Sequence, residues 1–555
     1  MRRSFLSSVT GIPWQSRKRA WLGACLVLAV AIAFRLGLLH APGEFDEFYH
    51  LLAARGWLET GSPRILDGEY WRGALFTRMV AGLFGVTGSQ DLPTARLVSV
   101  AAGSLVPVVV FLWLNRVVGP GTAGLAAVFA ILWPQGLLES QFVRFYALHV
   151  LTFLSGAVTF YLLLVGAGRS RLFYGLATGL LWSLAVHLQI SSVIGIAAAL
   201  LGGLAVLAIR RTFGLRAWLF IGGVLMSLAL IAAAALLMSD IAERAWAFYR
   251  WTPAHAEALR DYYGFYFNQL QTAYGALWLA SLVLVPLGLR INAALTLYCA
   301  TIFTVCFLTH SFGGMKALRY LSYAMPCLFV MWALGLRAAF DLLRTRGVDP
   351  RLRVALALVT GIAVVTATDF VPRSLELARG EGLPDRGDWS NGRAVVGDWS
   401  DVPFVATTRE LHHVAHIGSY DVLFSQSRVT EIDPTKDFGV DPRTGRPAVG
   451  HADNILRILH CVPDGLLVTS PHWWRAEGWK DRLLPRLTEN GTVLSMRESG
   501  ALLAIRWRNP DTRPDSCDTL SRDLPAAAIE AGASGGDVGP SPPGGRPDVT
   551  AEEPT

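Results

Sequence analysis

The sequence predicts an α-helical polytopic membrane protein of about eleven transmembrane helices, followed by a small C-terminal α/β domain on the extracytoplasmic side. Three observations lead there. The 555 residues are 52% hydrophobic and only 16% charged, with a mean hydropathy of +0.40, too apolar for an average soluble protein. Apolar runs of spanning length recur from Trp21 to Phe370. Beyond them the composition shifts to short β-rich runs that alternate with helical ones. The net charge of +7 does not point to nucleic acid, because most basic residues sit in short loops and report orientation.

Residues 1–20 carry Arg2, Arg3, Arg17, Lys18 and Arg19 and form the cytoplasmic N-terminus. The run Trp21–Leu39 has no convincing cleavage site after it and reads as a signal-anchor. Later runs are Leu97–Leu114, Val117–Trp133, Phe145–Val165, Leu172–Ile190, Val193–Ile209, Ala217–Met238, Ala273–Leu289, Ala293–Leu308, Leu321–Leu336 and Val354–Phe370. Together they make a transmembrane domain over 21–372. Arg116, Arg169, Arg171, Arg210, Arg211, Arg216, Arg290 and Arg344–Arg353 mark the cytoplasmic loops. The odd span count then puts the loop around Asp46 and the C-terminal domain on the same, outer side, with a bacterial inner membrane as the expected location.

The first outer loop, 40–96, is too long for a connector. It holds Glu44, Asp46 and Glu47 directly after the first span. Carboxylates are costly in hydrocarbon and belong where water or a ligand meets them. The same residues also suit the N-terminal cap of a helix running on through Leu51–Ala54. Phe48–Leu58 and Trp71–Phe84 read as helices along the membrane surface, with Glu59–Pro63 as the stop and Pro63–Tyr70 as a polar loop between them. The outer loop Asp240–Gln271 is aromatic and suits either a roof over a site or an interfacial helix pair.

After a Gly/Asp/Arg-rich linker, 373–397, the domain 398–510 shows strands at Pro403–Thr408, Tyr420–Phe424, Gly465–Ser470, Val493–Met496 and Ala501–Trp507, and helices at His451–His460 and Trp474–Asn490. The sheet is expected to be largely parallel. No glycine-rich phosphate fingerprint stands at a strand end. His412, His413 and His416 are close enough for a metal but read as a surface helix face. Cys461 and Cys517 can pair in an oxidising compartment. The tail 511–555 has a disordered composition.

Several segments, in order, resemble the GT-C membrane glycosyltransferases, which include the protein O-mannosyltransferases and the lipid A aminoarabinose transferases. They are the acidic pair Asp46-Glu47, Glu59-Thr60-Gly61-Ser62-Pro63, Trp71–Phe76, Leu83–Gly88, Ala95–Gly103, Arg144-Phe145-Tyr146-Ala147-Leu148, Ala185–Leu188, and Lys316–Tyr320 followed by Met325-Pro326. The resemblance covers about Trp21–Leu336. It implies transfer of a sugar from a polyprenyl-phosphate donor to a hydroxyl of a lipid, glycan or protein, with inversion. Asp46 is then the general base and Glu47 its neighbour. Glu44, Glu139, Arg144, Tyr146, His187, Lys316, Arg319 and Tyr320 are the substrate-binding candidates. Cations at the outer ends of spans suit a leaving phosphate. Arg144 also suits snorkelling to headgroups, the tyrosines an interfacial belt, and His187 a polar contact between helices. A divalent metal stays open, since two carboxylates offer too few oxygens to define one. A ligase or polymerase using a diphosphate donor is the alternative. A transporter would need charges near mid-membrane instead.

Overall fold

The computed structural model describes residues 14–166, 170–210, 246–247, 249–252, 254–383, 387–425, 438–509 and 517. The described residues form two compact units, one of residues up to Leu39 with Arg96–Gly382, the other of His40–Ala95 with residues from Leu383 on. The first outer loop, expected within the transmembrane domain, thus groups with the C-terminal domain.

The first unit is helical: α1 (Trp14–Arg35), α4 (Leu92–Val117), α5 (Pro120–Ile131), α6 (Pro134–Ser140), α7 (Tyr146–Val165), α8 (Ser170–Leu188), α9 (Ser192–Ile209), then helices Phe265–Tyr274, Ala276–Phe312, Met325–Thr345, Pro350–Ala367 and Phe370–Ala378. Among the described residues five helices are long and apolar enough to span a membrane, or six if the bent pair α5–α6 counts as one. The expected span Ala217–Met238 lies outside the described residues.

The stretch Ala276–Phe312 carries two expected spans. Asn292 breaks its helical dihedrals, with φ −154° and ψ 92°. The Trp278 ring lies 6.0 Å from Phe303 and 5.8 Å from Phe307. In a straight helix, residues that far apart in sequence would be separated by more than 35 Å. The chain therefore doubles back at Asn292, whose Oδ1 accepts from Leu295 N at 3.0 Å and caps the second arm. Gly288 and Gly335 permit the close fit. A Cβ on Gly335 would meet the Leu284 carbonyl oxygen at 2.3 Å, and one on Gly288 would meet Thr296 Oγ1 at 3.2 Å. The run from Met325 to Gly335 is buried throughout and forms the centre of this unit, with Phe129, Trp133, Tyr274 and Phe370 around Phe329 and Trp332.

The bend between α5 and α6 is 64°. Pro134 opens α6 and drives the preceding Trp133 into an extended conformation, ψ 108°. The bend carries Gln135 and Glu139 away from the line of α5.

The second unit begins with α2 (Phe45–Thr60), a two-stranded hairpin β1–β2 (Arg64–Ile65, Gly68–Glu69) and α3 (Ala74–Thr87). Its C-terminal part is a seven-stranded mixed sheet of order β5-β6-β4-β3-β7-β9-β8. The strands are β3 (Val405–Thr407), β4 (Val422–Phe424), β5 (Phe438–Val440), β6 (Pro447–Val449), β7 (Asp464–Thr469), β8 (Val493–Ser499) and β9 (Leu502–Arg508). The inner strands β6, β4, β3 and β7 run parallel, while β5 and the β9–β8 pair are antiparallel. Alternation along β7 and β9 fills both faces. Leu466, Val468, Leu502 and Ala504 pack with Trp389 and Trp399. Leu467, Leu503, Ile505 and Trp507 pack with helices Ala452–Cys461 and Trp479–Glu489. The β5–β6 hairpin has no counterpart in the sequence-based expectation. Cys461 and Cys517 form a disulfide; the rest of the tail expected to be disordered lies outside the described residues.

Candidate active site

In the first unit, Glu139 lies in the last turn of α6, Arg144 two residues before Tyr146 at the start of α7, and Arg319 and Tyr320 in the turn before Met325. All but Arg319 are buried. The structure gathers them. The Tyr146 ring has the Arg144 Cζ 5.4 Å from its centroid and the Arg319 Cζ 5.7 Å away. Arg319 also lies 5.6 Å over Tyr320. Arg144 Nη2 donates to Tyr146 Oη at 3.4 Å, and Ser99 Oγ donates to the Arg144 carbonyl at 3.2 Å. Glu139 Oε1 accepts from Gln135 Nε2 at 2.9 Å and from Ser322 Oγ, and its charge interacts with that of Arg319. Glu139 Oε2 is buried without a hydrogen-bond partner among the described residues. Guanidinium forks are groups whose planar donors match anions with several oxygens.

Lys316 stands near this group in sequence but in another arrangement. Its Nζ donates to the Arg260 carbonyl at 3.1 Å and to that of Gly313. It lies 5.8 Å over the Tyr263 ring, with the Arg250 Cζ 5.6 Å from the same ring. Burial and the Arg250 charge hold the Lys316 ammonium below its usual pKa. Lys316 and Arg250 thus repeat the motif of two cations on one tyrosine. Arg250 is ion-paired with Asp261.

His187 is exposed on the last turn of α8 and is not part of either group. Two other histidines, unremarked in the sequence, are buried nearby. His149, one turn along α7 from Tyr146, shares a hydrogen bond of 2.6 Å with Ser192 Oγ, and its ring lies 5.2 Å from that of Tyr323. His310 bonds Tyr323 Oη at 3.0 Å. For His149 a signal was available: a histidine three residues after Tyr146 shares its helix face.

In the second unit, Glu44 is the N-cap of α2, and Glu47 completes a capping box in which its Oε2 accepts from Glu44 N at 2.9 Å. Glu47 is fully buried, so both residues serve the helix end. Asp46 is half-buried in the first turn of α2. His50 Nδ1 bonds Thr77 Oγ1 at 2.9 Å and ties α2 to α3. His412 and His413, expected on a surface face, are buried instead. Phe45 and Phe48 pack on His412 at 5.8 and 4.9 Å, and Trp389 lies 5.6 Å from the same ring. The apolar partners come from distant segments, so helix periodicity alone places these histidines on the wrong side. Among the described residues no three His, Cys, Asp or Glu side chains are grouped as a metal requires, and Asp46 by itself offers too few oxygens to hold Mg²⁺ or Ca²⁺.

No protein-family model matches the sequence, and no curated protein matches it. Solved structures do. ArnT from Cupriavidus metallidurans in the apo state aligns over 89% of this chain and 98% of its own, at TM-score 0.57 and 13% identity. The same protein bound to undecaprenyl phosphate aligns over 88% and 97%, at TM-score 0.52 and 14% identity. The archaeal oligosaccharyltransferase AglB from Archaeoglobus fulgidus, in complex with an inhibitory peptide and a dolichol-phosphate, aligns over 90% of this chain and 75% of its own, at TM-score 0.54 and 14% identity. The likeness is one of fold: this chain shares the fold of ArnT and of AglB.

Proposed function

We propose that the protein is an integral-membrane glycosyltransferase that moves a sugar from a polyprenyl-phosphate-linked donor to a hydroxyl acceptor on the extracytoplasmic face. The observation that carries this reading is the pair of guanidinium groups, Arg144 buried and Arg319 half-buried, on Tyr146. The related fold in a protein bound to undecaprenyl phosphate supports it. Arg144 and Arg319 take the phosphate oxygens. The acceptor oxygen attacks the anomeric carbon, and the bond from that carbon to the phosphate oxygen breaks. The bonding pair leaves with the lipid phosphate, whose growing negative charge the two forks stabilise. Asp46 receives the acceptor proton. One displacement inverts the anomeric centre. Glu44 and Glu47 hold the end of the Asp46 helix, and Glu139 orients Arg319.

The test uses the full chain in nanodiscs with a panel of undecaprenyl-phosphate hexoses and pentoses, and membrane extract as the acceptor source. Wild type is expected to release undecaprenyl phosphate and label an acceptor. Asp46→Asn is expected to lose about 100-fold or more in rate while still binding undecaprenyl phosphate. Equal transfer by Asp46→Asn would move the base elsewhere, with Glu139 next. A diphosphate donor is the second reading, favoured by the second pair of cations, Lys316 and Arg250 on Tyr263. Consumption of undecaprenyl-diphosphate sugars, and of no monophosphate sugar, would establish it.

A further inference from the structure

The C-terminal part of the second unit holds α2 and the β1–β2 turn that follows it, at three places. The tip of the β5–β6 hairpin, residues 441–446, is the main one. It is a built loop. Asp441 N donates to the Arg446 carbonyl at 2.9 Å, Gly445 N to the Asp441 carbonyl at 2.7 Å, and Thr444 Oγ1 to Asp441 Oδ2 at 3.0 Å. Tyr420 Oη bonds Thr444 Oγ1 at 2.8 Å beneath it. From this tip Arg443 reaches Tyr49, donating to its hydroxyl with the guanidinium 4.9 Å over its ring. Tyr70 stacks on the same ring at 4.7 Å. The tip also grips the β1–β2 turn: Asp67 N donates to the Thr444 carbonyl at 2.9 Å, and Arg446 pairs with Asp67 at 2.8 Å. Contact is backbone to backbone. Gly445 has φ +71°, and a Cβ there would stand 2.6 Å from the Asp67 carbonyl carbon and 2.7 Å from Gly68 N. The third place is His412 and His416, against which Phe48 lies at 4.9 and 5.2 Å.

Tyr49 follows Asp46 by three residues, so the two lie on neighbouring positions of one helix face. Fixing the Tyr49 ring fixes the rotation of α2 and with it the direction of the Asp46 carboxylate. A cation on an aromatic ring, closed by a hydrogen bond, is a directional contact, unlike the apolar packing of Phe48 on His412 and His416. We propose that the β5–β6 tip sets the catalytic posture of Asp46, with Arg443 and Arg446 as positioning residues supplied by the C-terminal domain. This rests on the reading of Asp46 as the base, and it assigns the C-terminal domain a part in the reaction that does not require it to touch substrate.

The experiment keeps the two ideas separable by measuring position and turnover in the same full-length samples in nanodiscs. Position is read as hydrogen exchange of the Phe45–Thr60 peptide, turnover as kcat and KM on the undecaprenyl-phosphate sugar panel. Arg443→Ala is expected to speed exchange of that peptide about tenfold and to lower kcat by about 10- to 100-fold, with undecaprenyl phosphate binding and donor KM unchanged. Arg443→Lys, which keeps the charge over the ring, is expected to regain most of both. Asp67→Arg and Arg446→Asp are each expected to loosen the peptide, and the double exchange to tighten it again. That pair decides the matter should Arg443→Ala fail to fold. Exchange and kcat unmoved in Arg443→Ala, or no recovery in the double exchange, overturns the proposal while leaving the transferase reading intact. Loosened exchange together with full transfer by Asp46→Asn sinks the base assignment, and with it this proposal's catalytic half.

Discussion

At the scale of single residues the chain separates groups that suit chemistry from groups that serve the backbone, though the sequence sets them side by side. Glu44 and Glu47 close a capping box, so Glu47→Ala should cost about 1 kcal/mol of stability and leave turnover nearly unchanged at a temperature where the protein stays folded. Asp46→Asn should do the reverse. Thermal unfolding and transfer assays on the same two variants check this contrast. Arg144→Ala or Arg319→Ala removes a charge-assisted contact of about 1.5–3 kcal/mol, so each should weaken undecaprenyl phosphate binding by roughly 10- to 100-fold. Lysine at either position should restore only part, because it lacks the planar fork. The arginines stand out in the sequence because the expected topology sets them against the usual distribution of charge across a membrane, and the structure brings both beside Tyr146. His310 does not stand out, because an isolated histidine in an apolar run looks the same in sequence whether it packs, binds or faces lipid. His187 shows the converse: its place in a motif predicted a site, and the structure leaves it exposed.

At the scale of elements, the long apolar helices and the inner strands of the sheet follow from local pattern, while the parts that hold the proposed base in place do not. Among the described residues five or six helices are long and apolar enough to span a membrane, against about eleven spans expected. The β5–β6 hairpin joins strands of three residues each through a polar tip, and strands so short leave no alternation to detect. The histidines of the helix Glu410–His416 have a testable consequence. Burial pushes His412 down to about 3 and His413 down to about 4; neighbouring charges on Arg409 and His416 act in the same direction on His412. Both stay neutral in the folded domain well below the 6.5 of an unfolded histidine. The contribution is thus fully present above pH 6.5 and declines as the pH falls, because the unfolded chain takes up protons that the folded one refuses. By pH 5 each histidine should cost about 2 kcal/mol relative to neutral pH. Denaturant unfolding followed by exchange of the 410–416 peptide at pH 8 and pH 5 should show that loss, and His412→Phe should flatten part of it.

At the scale of the whole molecule, the plan of an apolar helical region followed by an α/β domain was readable from composition alone. The grouping of residues 40–95 with the C-terminal domain was not, because it depends on contacts between segments more than 300 residues apart in the chain. The disulfide between Cys461 and Cys517 closes a long loop in that domain, so removing it should cost about 2–4 kcal/mol. A Cys461→Ser/Cys517→Ser double variant should lower the unfolding midpoint, and the wild-type bond should resist formation when the domain is made in a reducing cytosol. Finally, Gly445 meets Asp67 and Gly68 so closely that neither backbone can shift or gain a side chain without the other giving way. The two segments are therefore one inheritable part. A chimera that borrows a C-terminal domain from a protein of the same fold, while keeping its own first loop, should assemble a correct membrane region and a correct soluble domain and still be idle; transplanting both segments together should bring it back.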